Sequence, residues 1–419
     1  MSRAALLKDS AALGAVLAAY ERGGELTNDR LYAAVKVPMG FSDEDYRRRD
    51  PVGRAGKKHC LAQRQVRWYV QTLKRLNLVE RVPNRRGAWR LRGADEKQLT
   101  PAPAGMTMVA FSTTLGLALW SSCEVFQRIN EPVSCVLTSP PFALAKPRRY
   151  GNPSEQEIVD FICRALEPLV KNLVPGGTVV LQTTNDIFVA GTPARSLYLE
   201  RLTLAVHDRL GLHLHDRVIW NSPCKPPGPV QWASKTRQQL CVGYEFALIF
   251  TNDPLRCLAD NRRVLLPHTD RHKQLVASGG EKRDKVYGDG AYTLRAGRSF
   301  SQQTPGRIPK NVLTYTHHGA EISKLRDEVR SMGLPVHGAL MPLELAKFFV
   351  RFLTREGDLV VDPWSGWATS ALAAEQCGRR WMVTERMAEY VAAQAIRFRA
   401  APGFRNSIPL DLSRGLFGG

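Results

Sequence analysis

The fold class of this chain is decided by the stretch Asp358-Leu359-Val360-Val361-Asp362-Pro363-Trp364-Ser365-Gly366-Trp367-Ala368-Thr369-Ser370. Its apolar start predicts a buried strand, and a glycine-bearing loop then leads through a helix to a second predicted strand at residues 380–385. Strand, helix and strand make a βαβ unit, in which nucleotides bind at the first turn because the helix N-terminus presents free N–H groups there. We therefore expect an α/β fold that binds a nucleotide-like ligand at this turn.

The residues upstream repeat the alternation of strands and helices. Residues 133–137 form an apolar run typical of a buried strand, and a helix is predicted from about residue 154 to 173. The turn Pro175-Gly176-Gly177 separates that helix from a strand at about 178–182. Such alternation predicts a mainly parallel sheet. The other predicted elements are a helix after Pro193, strands at 218–220 and 246–250, and a helix over 342–355.

Residues 222–310 interrupt this alternation. They are rich in glycine, proline, glutamine and basic residues, among them Arg262 and Arg263. Long segments without a regular pattern are usually either functional or structureless surface loops. We expect a target-recognition insertion that contacts DNA, or else a loop without that role.

The charge of the chain indicates a polyanionic partner. The formal net charge is +20 and the isoelectric point is about 9.9. Lys and Arg favour nucleic acid because they displace its condensed counterions. A basic surface that serves only solubility or membrane contact is the alternative. No run of eighteen apolar residues and no secretory signal is present, so we expect a cytoplasmic protein of bacterial or phage type, with no membrane partner.

The cysteines and histidines predict no metal site. The eight cysteines are scattered singly, without the paired spacing of a zinc or redox site. His317-His318 lacks a nearby third ligand and is interpreted as a surface pair.

The N-terminal hundred residues predict a separate DNA-binding domain. Residues 51–92 carry twelve Lys or Arg and one acid, Glu80, and their apolar spacing from Leu61 to Leu76 is helical. Two short strands around a basic turn follow, which resembles a winged helix. A solvated basic helix that touches no DNA is the alternative. The linker over 100–105 ends this domain, and its DNA-binding candidates are Arg64, Arg67, Lys74, Arg85 and Arg86.

A second motif, Thr138-Ser139-Pro140-Pro141-Phe142, follows the strand at 133–137. Two prolines fix the backbone, so the Pro140 carbonyl points in a set direction. An amino group on a base is a poor nucleophile until both of its N–H groups donate hydrogen bonds to fixed acceptors. The Ser139 hydroxyl and the Pro140 carbonyl can be those acceptors. Phe142 can stack on a base that has left its duplex. The alternative is a proline pair that only shapes a loop.

Together the two motifs resemble those of the DNA amino-methyltransferases of restriction-modification systems, in the circularly permuted beta class, over residues 107–400. That family's catalytic motif is matched at Ser139, Pro140, Pro141 and Phe142, in the form typical of enzymes that methylate N4 of cytosine. Its cofactor motif is matched at Asp362, Pro363, Gly366 and Thr369, with Trp364 in place of phenylalanine. The resemblance implies a Rossmann-like methyltransferase domain over 106–401, with 222–310 as its insertion and 402–419 as a tail.

The resemblance also implies the ligands. S-adenosyl-L-methionine is the expected cofactor, with its methionine part held by Asp362, the Gly366 loop and Thr369 and its ribose held by Glu385. His337 begins a segment similar to one that completes the family's cofactor pocket. The expected partner is double-stranded DNA, and a cognate restriction endonuclease that forms no stable complex is possible; the chain acts as a monomer or a dimer.

Three departures from the family pattern stand out. Ala368 replaces the second glycine of the cofactor motif, which is tolerable only if its backbone avoids positive φ. Gly338 replaces a proline after His337. The acid that some relatives carry after the strand ending near Gln182 is absent, with Asp186 the nearest, so no general base is assigned.

Several alternatives stay open on the sequence. N6 of adenine would suit the same pocket, although those enzymes usually begin the motif with Asp or Asn. A DNA-binding regulator with an inactive methyltransferase fold, or an RNA substrate, is also considered. C5 methylation of cytosine would need a cysteine nucleophile, and Cys224 is interpreted as an ordinary loop cysteine. Trp220, Trp232 and Tyr244 are interpreted as packing residues rather than stacking platforms.

Overall fold

The computed structural model describes residues 3–407 with eight gaps. The gaps are residues 53–56, 76–77, 83–84, 92–98, 143–153, 155–156, 317–318 and 339. His317-His318 and the 408–419 part of the expected tail therefore lie outside the described residues.

The described part of an N-terminal unit contains four helices and five short strands. A three-stranded sheet has the order β1-β5-β4, and β2 pairs separately with β3. In chain order the elements are α1 (Arg3–Gly23), β1 (Leu26–Thr27), α2 (Asn28–Val35), α3 (Asp43–Arg47), β2 (Asp50–Val52), β3 (Lys57–His59), α4 (Leu61–Arg75), β4 (Val79–Arg81) and β5 (Ala88–Leu91). The helix and two strands predicted between 61 and 92 are all present.

The remainder is built on a ten-stranded sheet of order β14-β10-β11-β9-β8-β15-β16-β7-β6-β17. Its strands are β6 (Thr107–Ser112), β7 (Gly116–Ser121), β8 (Val133–Thr138), β9 (Leu173–Thr183), β10 (His213–Asn221), β11 (Tyr244–Thr251), β14 (Val312–Thr314), β15 (Leu359–Asp362), β16 (Arg380–Glu385) and β17 (Arg405–Asn406). A separate hairpin consists of β12 (Lys285–Tyr287) and β13 (Tyr292–Leu294). The α/β fold class is confirmed.

Helices cover both faces of this sheet. They are α5 (Ile158–Lys171), α6 (Tyr198–Leu210), α8 (Ala320–Ser331), α9 (Leu343–Leu353), α10 (Thr369–Gln376) and α11 (Ala388–Phe398). A further helix, α7 (Asp270–Ala277), has no buried residue. Successive side chains of a strand point to opposite faces. Val361 of β15 accordingly packs with α5 and α6, whereas its neighbour Val360 packs with α9, α10 and α11. Strands with both faces buried explain the continuous apolar runs in the sequence.

Two predicted boundaries need correction. Residues 222–310 are not a single insertion, because β11 lies inside them and pairs with β9 and β10 in the central sheet. Residues 402–419 are not wholly a tail, because β17 extends the sheet by pairing with Phe111 and Ser112 of β6. A two-residue edge strand has no sequence pattern of its own, which is why it was missed.

The N-terminal unit is joined to the central sheet by apolar packing. Helix α1 contacts β6, and Leu13, Val16 and Leu17 of that helix belong to the same buried cluster as Met108.

Among the described residues, no helix is long and apolar enough to cross a membrane.

Candidate active site

A cavity of about 620 Å³ opens at the carboxyl ends of β8, β15 and β16. Strands β8 and β15 are parallel neighbours, so the segments that follow them leave the sheet at the same edge. This is why the two sequence motifs meet. The sequence-predicted residues on the cavity wall are Ser139, Pro140, Pro141, Phe142, His337, Asp362, Pro363, Trp364, Gly366, Thr369 and Glu385.

The carboxylate of Asp362 is buried and accepts three hydrogen bonds. Thr138 donates to Oδ1 at 2.6 Å, the Trp364 N–H to the same oxygen at 3.0 Å, and the Ser370 hydroxyl to Oδ2 at 2.5 Å. Burial raises the pKa of Asp362 to about 6, and the donors from Ser370, Thr138 and Trp364 oppose that rise. Asp362 therefore joins the end of β8 to both ends of the loop between β15 and α10.

Glu385 ends β16 at the cavity wall. Its two oxygens accept hydrogen bonds from the Gly366 N–H at 2.9 Å and the Met387 N–H at 2.8 Å. Burial raises the pKa of Glu385 to about 7, and those backbone donors partly oppose the shift. Each oxygen retains a further lone pair, so the carboxylate can also accept from the hydroxyls of a ligand.

The loop between β15 and α10 turns at Gly366. Its φ is +53°, and a Cβ built there would lie 2.9 Å from Nε2 of His337. The position needs glycine for both reasons, because a side chain would strain the backbone and push against His337. The His337 ring stands edge-on to Tyr390 at 4.9 Å between centroids.

The expectation for Ala368 is wrong. Its φ is +54° and ψ +43°, so the residue adopts the left-handed conformation that the family's glycine would hold. Ala368 is fully buried and is absent from the cavity wall, unlike the other cofactor candidates. The conformation costs an alanine about 1–2 kcal/mol, which surrounding contacts must offset.

Two residues of α11 hold this loop and were missed in the sequence. The Gln394 side-chain amide donates to Oγ of Ser365 and to the carbonyl of Gly366. The Arg397 guanidinium donates to the carbonyl of Trp367 at 2.6 Å and to Oγ1 of Thr369 at 3.1 Å. Both are polar residues in the alanine-rich, mostly apolar second half of the helix, and that contrast is the signal that could have identified them.

The Arg397 side chain is only 2% exposed and forms an ion pair of 3.2 Å with Glu321 of α8. Burial lowers the pKa of Arg397, and Glu321 opposes that shift. The two terminal nitrogens of Arg397 are bonded to the loop between β15 and α10 and to Glu321, whereas its buried Nε has no hydrogen-bond partner among the described residues. These contacts tie α8 and α11 to that loop.

Aromatic side chains form another part of the wall. The rings of Phe161 and Trp364 lie 5.6 Å apart at 32°. Both residues and Phe142 pack against the buried apolar residues of β8, α5 and α6. The side chain of Trp367 is fully buried, and its indole N–H has no hydrogen-bond partner among the described residues. The aromatic part of the wall is therefore a flat apolar surface.

A family model described as DNA methylase, for N6 and N4 methyltransferases, matches residues 133–397. The matched region contains both motifs and the strands that bring them together. The chain belongs to the N6/N4 DNA methylase family.

Two relatives illustrate the extent of the similarity. The type II methyltransferase M.PvuII of Proteus hauseri is 33% identical over 293 residues, which cover 69% of this chain and 85% of that protein. The solved structure of the PvuII DNA methyltransferase (cytosine-N4-specific) matches with a TM-score of 0.54 and 28% identity, covering 70% of this chain and 89% of the other.

The predicted DNA contacts of this DNA methylase differ in their availability. Arg263 is not presented to DNA as expected, because its guanidinium is held by the carbonyls of Leu258 and Thr354. The exposed Arg262 is paired with Asp260 at 2.8 Å. Arg85 pairs with Glu25 at 3.2 Å, and Arg67 donates to the Tyr32 hydroxyl at 3.3 Å. Arg64, Lys74 and Arg86 are exposed.

The remaining sequence interpretations concern residues away from the cavity. Cys224 is exposed and does not line the cavity, and Trp220 is buried with its indole N–H bonded to the Tyr315 carbonyl. Trp232 is half-buried and Tyr244 is 39% exposed. Within the described ranges, no group of three or more His, Cys, Asp or Glu could hold a metal ion.

Proposed function

We propose that this DNA methylase transfers a methyl group from S-adenosyl-L-methionine to N4 of a cytosine flipped out of duplex DNA. The observation that carries the proposal is the shared cavity, which places Ser139 and Pro140 on the same wall as Asp362 and Glu385. Both relatives named above support it, since one is a type II methyltransferase and the other is described as cytosine-N4-specific.

The catalytic role of Ser139 and Pro140 is to orient an amino group. The Ser139 hydroxyl and the Pro140 carbonyl accept one hydrogen bond each from the two N–H groups, which frees the nitrogen lone pair from the ring. Phe142 stacks on the flipped base and recovers about 1–3 kcal/mol of the cost of unstacking. No general base is assigned, and the released proton passes to water.

The cavity wall fits S-adenosyl-L-methionine. Glu385 accepts from the ribose hydroxyls, while the free N–H groups where α10 begins, at Thr369, receive a carboxylate. The apolar face of Trp364 completes the surface. When bound, this cofactor supplies a methyl group on a positively charged sulfur. The chain contributes positioning, and the proposal includes no metal.

N6 of adenine is the second candidate for the acceptor. The observation that favours it is the family match itself, since the family includes N6 and N4 enzymes. The wall needs only an amino group with two N–H donors, which both bases have. Identification of the methylated nucleoside separates the two candidates.

The proposal extends to the N-terminal unit and to the setting of the enzyme. The three-stranded sheet β1-β5-β4 with α1, α2 and α4 supports a winged-helix domain that binds duplex DNA through exposed residues such as Arg64, Lys74 and Arg86. We place the enzyme in a bacterial or phage restriction-modification system in the cytoplasm. It acts there as a monomer or dimer, without a stable complex with a restriction endonuclease.

The test is to incubate the purified protein with S-adenosyl-L-methionine and mixed-sequence duplex DNA, then to digest the DNA and identify methylated nucleosides by mass spectrometry. We expect N4-methylcytosine. Ser139→Ala should reduce turnover at least about a hundredfold while leaving cofactor affinity nearly unchanged, since one preorganised acceptor is lost. N6-methyladenine would correct the base, and cofactor binding without any DNA methylation would favour the inactive regulator.

A further inference from the structure

Helix α4 (Leu61–Arg75) has two sharply different faces. Val66, Tyr69, Val70 and Leu73 are 0–3% exposed and pack into the N-terminal unit. On the opposite face Trp68 is 57% exposed, an unusual position for a tryptophan in a soluble protein. The polar residues of that face are Arg64, Gln65, Arg67, Gln71 and Lys74.

The centre of the exposed face consists of Arg64, Trp68 and Gln71. Their spacing of four and three residues places them in one row along the helix. Arg pairs with the O6 and N7 acceptors of guanine, Gln pairs with N6 and N7 of adenine, and an apolar surface contacts the thymine methyl group. These three side chains together therefore match the major-groove edges of base pairs rather than the phosphates alone.

Charge on the flanks of the row favours the same partner. Arg67 and Lys74 lie along one side of it, and the Arg67 guanidinium is braced by the Tyr32 hydroxyl at 3.3 Å. Residues 1–100 contain 21 Lys or Arg and 11 Asp or Glu, which gives +10, half of the charge of the whole chain. A face of this composition is complementary to duplex DNA, whose backbone binds the flanking cations.

The face is separate from the cavity. No described residue of α4 is on the cavity wall. The N-terminal unit packs on the sheet through the contact of α1 with β6, and β6 lies four strands from β8. At about 4.8 Å per strand this separation is about 19 Å.

We propose that the Arg64-Trp68-Gln71 row reads base pairs in the major groove at a position distinct from the base that is methylated. The inference rests on the proposed function only in taking duplex DNA as the partner. It predicts a recognition sequence with two parts, one read at the cavity and one read by α4. The α4 part should include a G·C pair and an A·T pair.

The test is selection of bound duplexes from a random-sequence library by the full chain, without cofactor. We expect enrichment at positions outside the site of methylation. Gln71→Ala and Arg64→Ala should each abolish enrichment at one of those positions and weaken binding to the selected duplex by at least about fivefold. Gln376→Ala, an exposed glutamine at the end of α10, is the matched control and should change neither.

A second variant separates base reading from charge. Lys74→Ala should weaken binding to all sequences alike and reduce the salt slope by about 1. Enrichment that survives Gln71→Ala and Arg64→Ala, or that is confined to the methylated site, would overturn the inference. The methylated position is mapped separately, by incubating the selected duplex with S-adenosyl-L-methionine. Because enrichment itself is measured by binding alone, a failure of the proposed methylation would leave α4-dependent enrichment intact.

Discussion

Thr138 and Asp362 are 224 residues apart in the chain, yet the Thr138 hydroxyl donates a 2.6 Å hydrogen bond to the Asp362 carboxylate. Thr138 ends the strand before the catalytic motif, and Asp362 ends the strand before the cofactor loop. Both residues are buried. This bond therefore fixes the relative position of the two segments between which a methyl group is proposed to pass.

Thr138→Val should lower the free energy of unfolding by removing that bond. Valine keeps the shape of threonine but leaves the buried carboxylate with one donor fewer, at a cost of about 1.5–3 kcal/mol when Asp362 is ionised. Since the pKa of Asp362 is about 6, the loss of stability should be larger at pH 8 than at pH 5. Thermal unfolding at both pH values measures it, with Thr138→Ser as the control. An equal loss at both pH values would mean that only packing had changed.

Glu385 should make cofactor binding depend on pH. Its pKa lies near 7, and only the ionised carboxylate accepts from both hydroxyls of a ribose. Affinity for S-adenosyl-L-methionine, measured by calorimetry between pH 5.5 and 8.5, should fall as the pH drops through about 7. Glu385→Gln should bind weakly with little dependence on pH. Unchanged wild-type affinity over this range would remove Glu385 from the ribose site.

The same carboxyl has the opposite effect on the ligand-free fold. In the folded state Glu385 holds its proton up to about pH 7, whereas the unfolded chain releases it near the ordinary value of 4.5. Between these values the folded state binds more protons, so this group's contribution to the free energy of unfolding decreases as the pH rises.

The position of Ala368 yields a prediction about stability. Ala368→Gly removes the strain of the left-handed conformation. It also removes a buried methyl group and increases the conformational entropy of the unfolded chain, and both of these changes destabilise the fold. These effects nearly cancel, so the free energy of unfolding should change by less than about 1 kcal/mol. Ala368→Val should destabilise far more, because a β-branched residue resists positive φ and the site is fully buried. Denaturant unfolding of both variants measures the difference, and a large loss in Ala368→Gly would contradict it.

Much of the site could be predicted because local pattern and sheet geometry agree. Residues 133–137 and 358–362 were recognisable as buried strands, and parallel neighbours bring the following motifs to the same edge. Ala368 shows the limit of that reasoning. A rule about glycine predicted ordinary backbone there, but the loop's hydrogen bonds impose the left-handed conformation on alanine.

The contacts that hold the loop could not be predicted in the same way. Gln394 and Arg397 reach residues 28 to 30 positions earlier, and no local spacing specifies such a contact. Arg263 was misjudged for a related reason. Its sequence context is that of a basic residue in a loop, which suggests a DNA contact. Only the structure shows that the carbonyls of Leu258 and Thr354 bind its guanidinium.

Arg397 should be a positioning residue for the cofactor loop. Arg397→Gln removes the bonds to Trp367 and Thr369 and leaves Glu321 without its partner, so it should weaken cofactor binding and destabilise the fold. Arg399→Gln is the matched control, since Arg399 is the C-cap of the same helix but pairs with Glu328 at the surface. Arg397 is buried but Glu321 is 51% exposed, so the loss of stability should lie between the about 0–1 kcal/mol of an exposed pair and the about 3–5 kcal/mol of a fully buried one. We expect KM for the cofactor to rise more than tenfold in Arg397→Gln while kcat at saturating cofactor falls much less, because the acceptors at Ser139 and Pro140 are untouched.

A second variant at the same position separates stability from positioning. Arg397→Lys, which keeps the charge but loses the planar donor fork, should recover stability better than cofactor affinity. If both variants bound the cofactor as tightly as the wild type, Arg397 would stabilise the fold without positioning the loop.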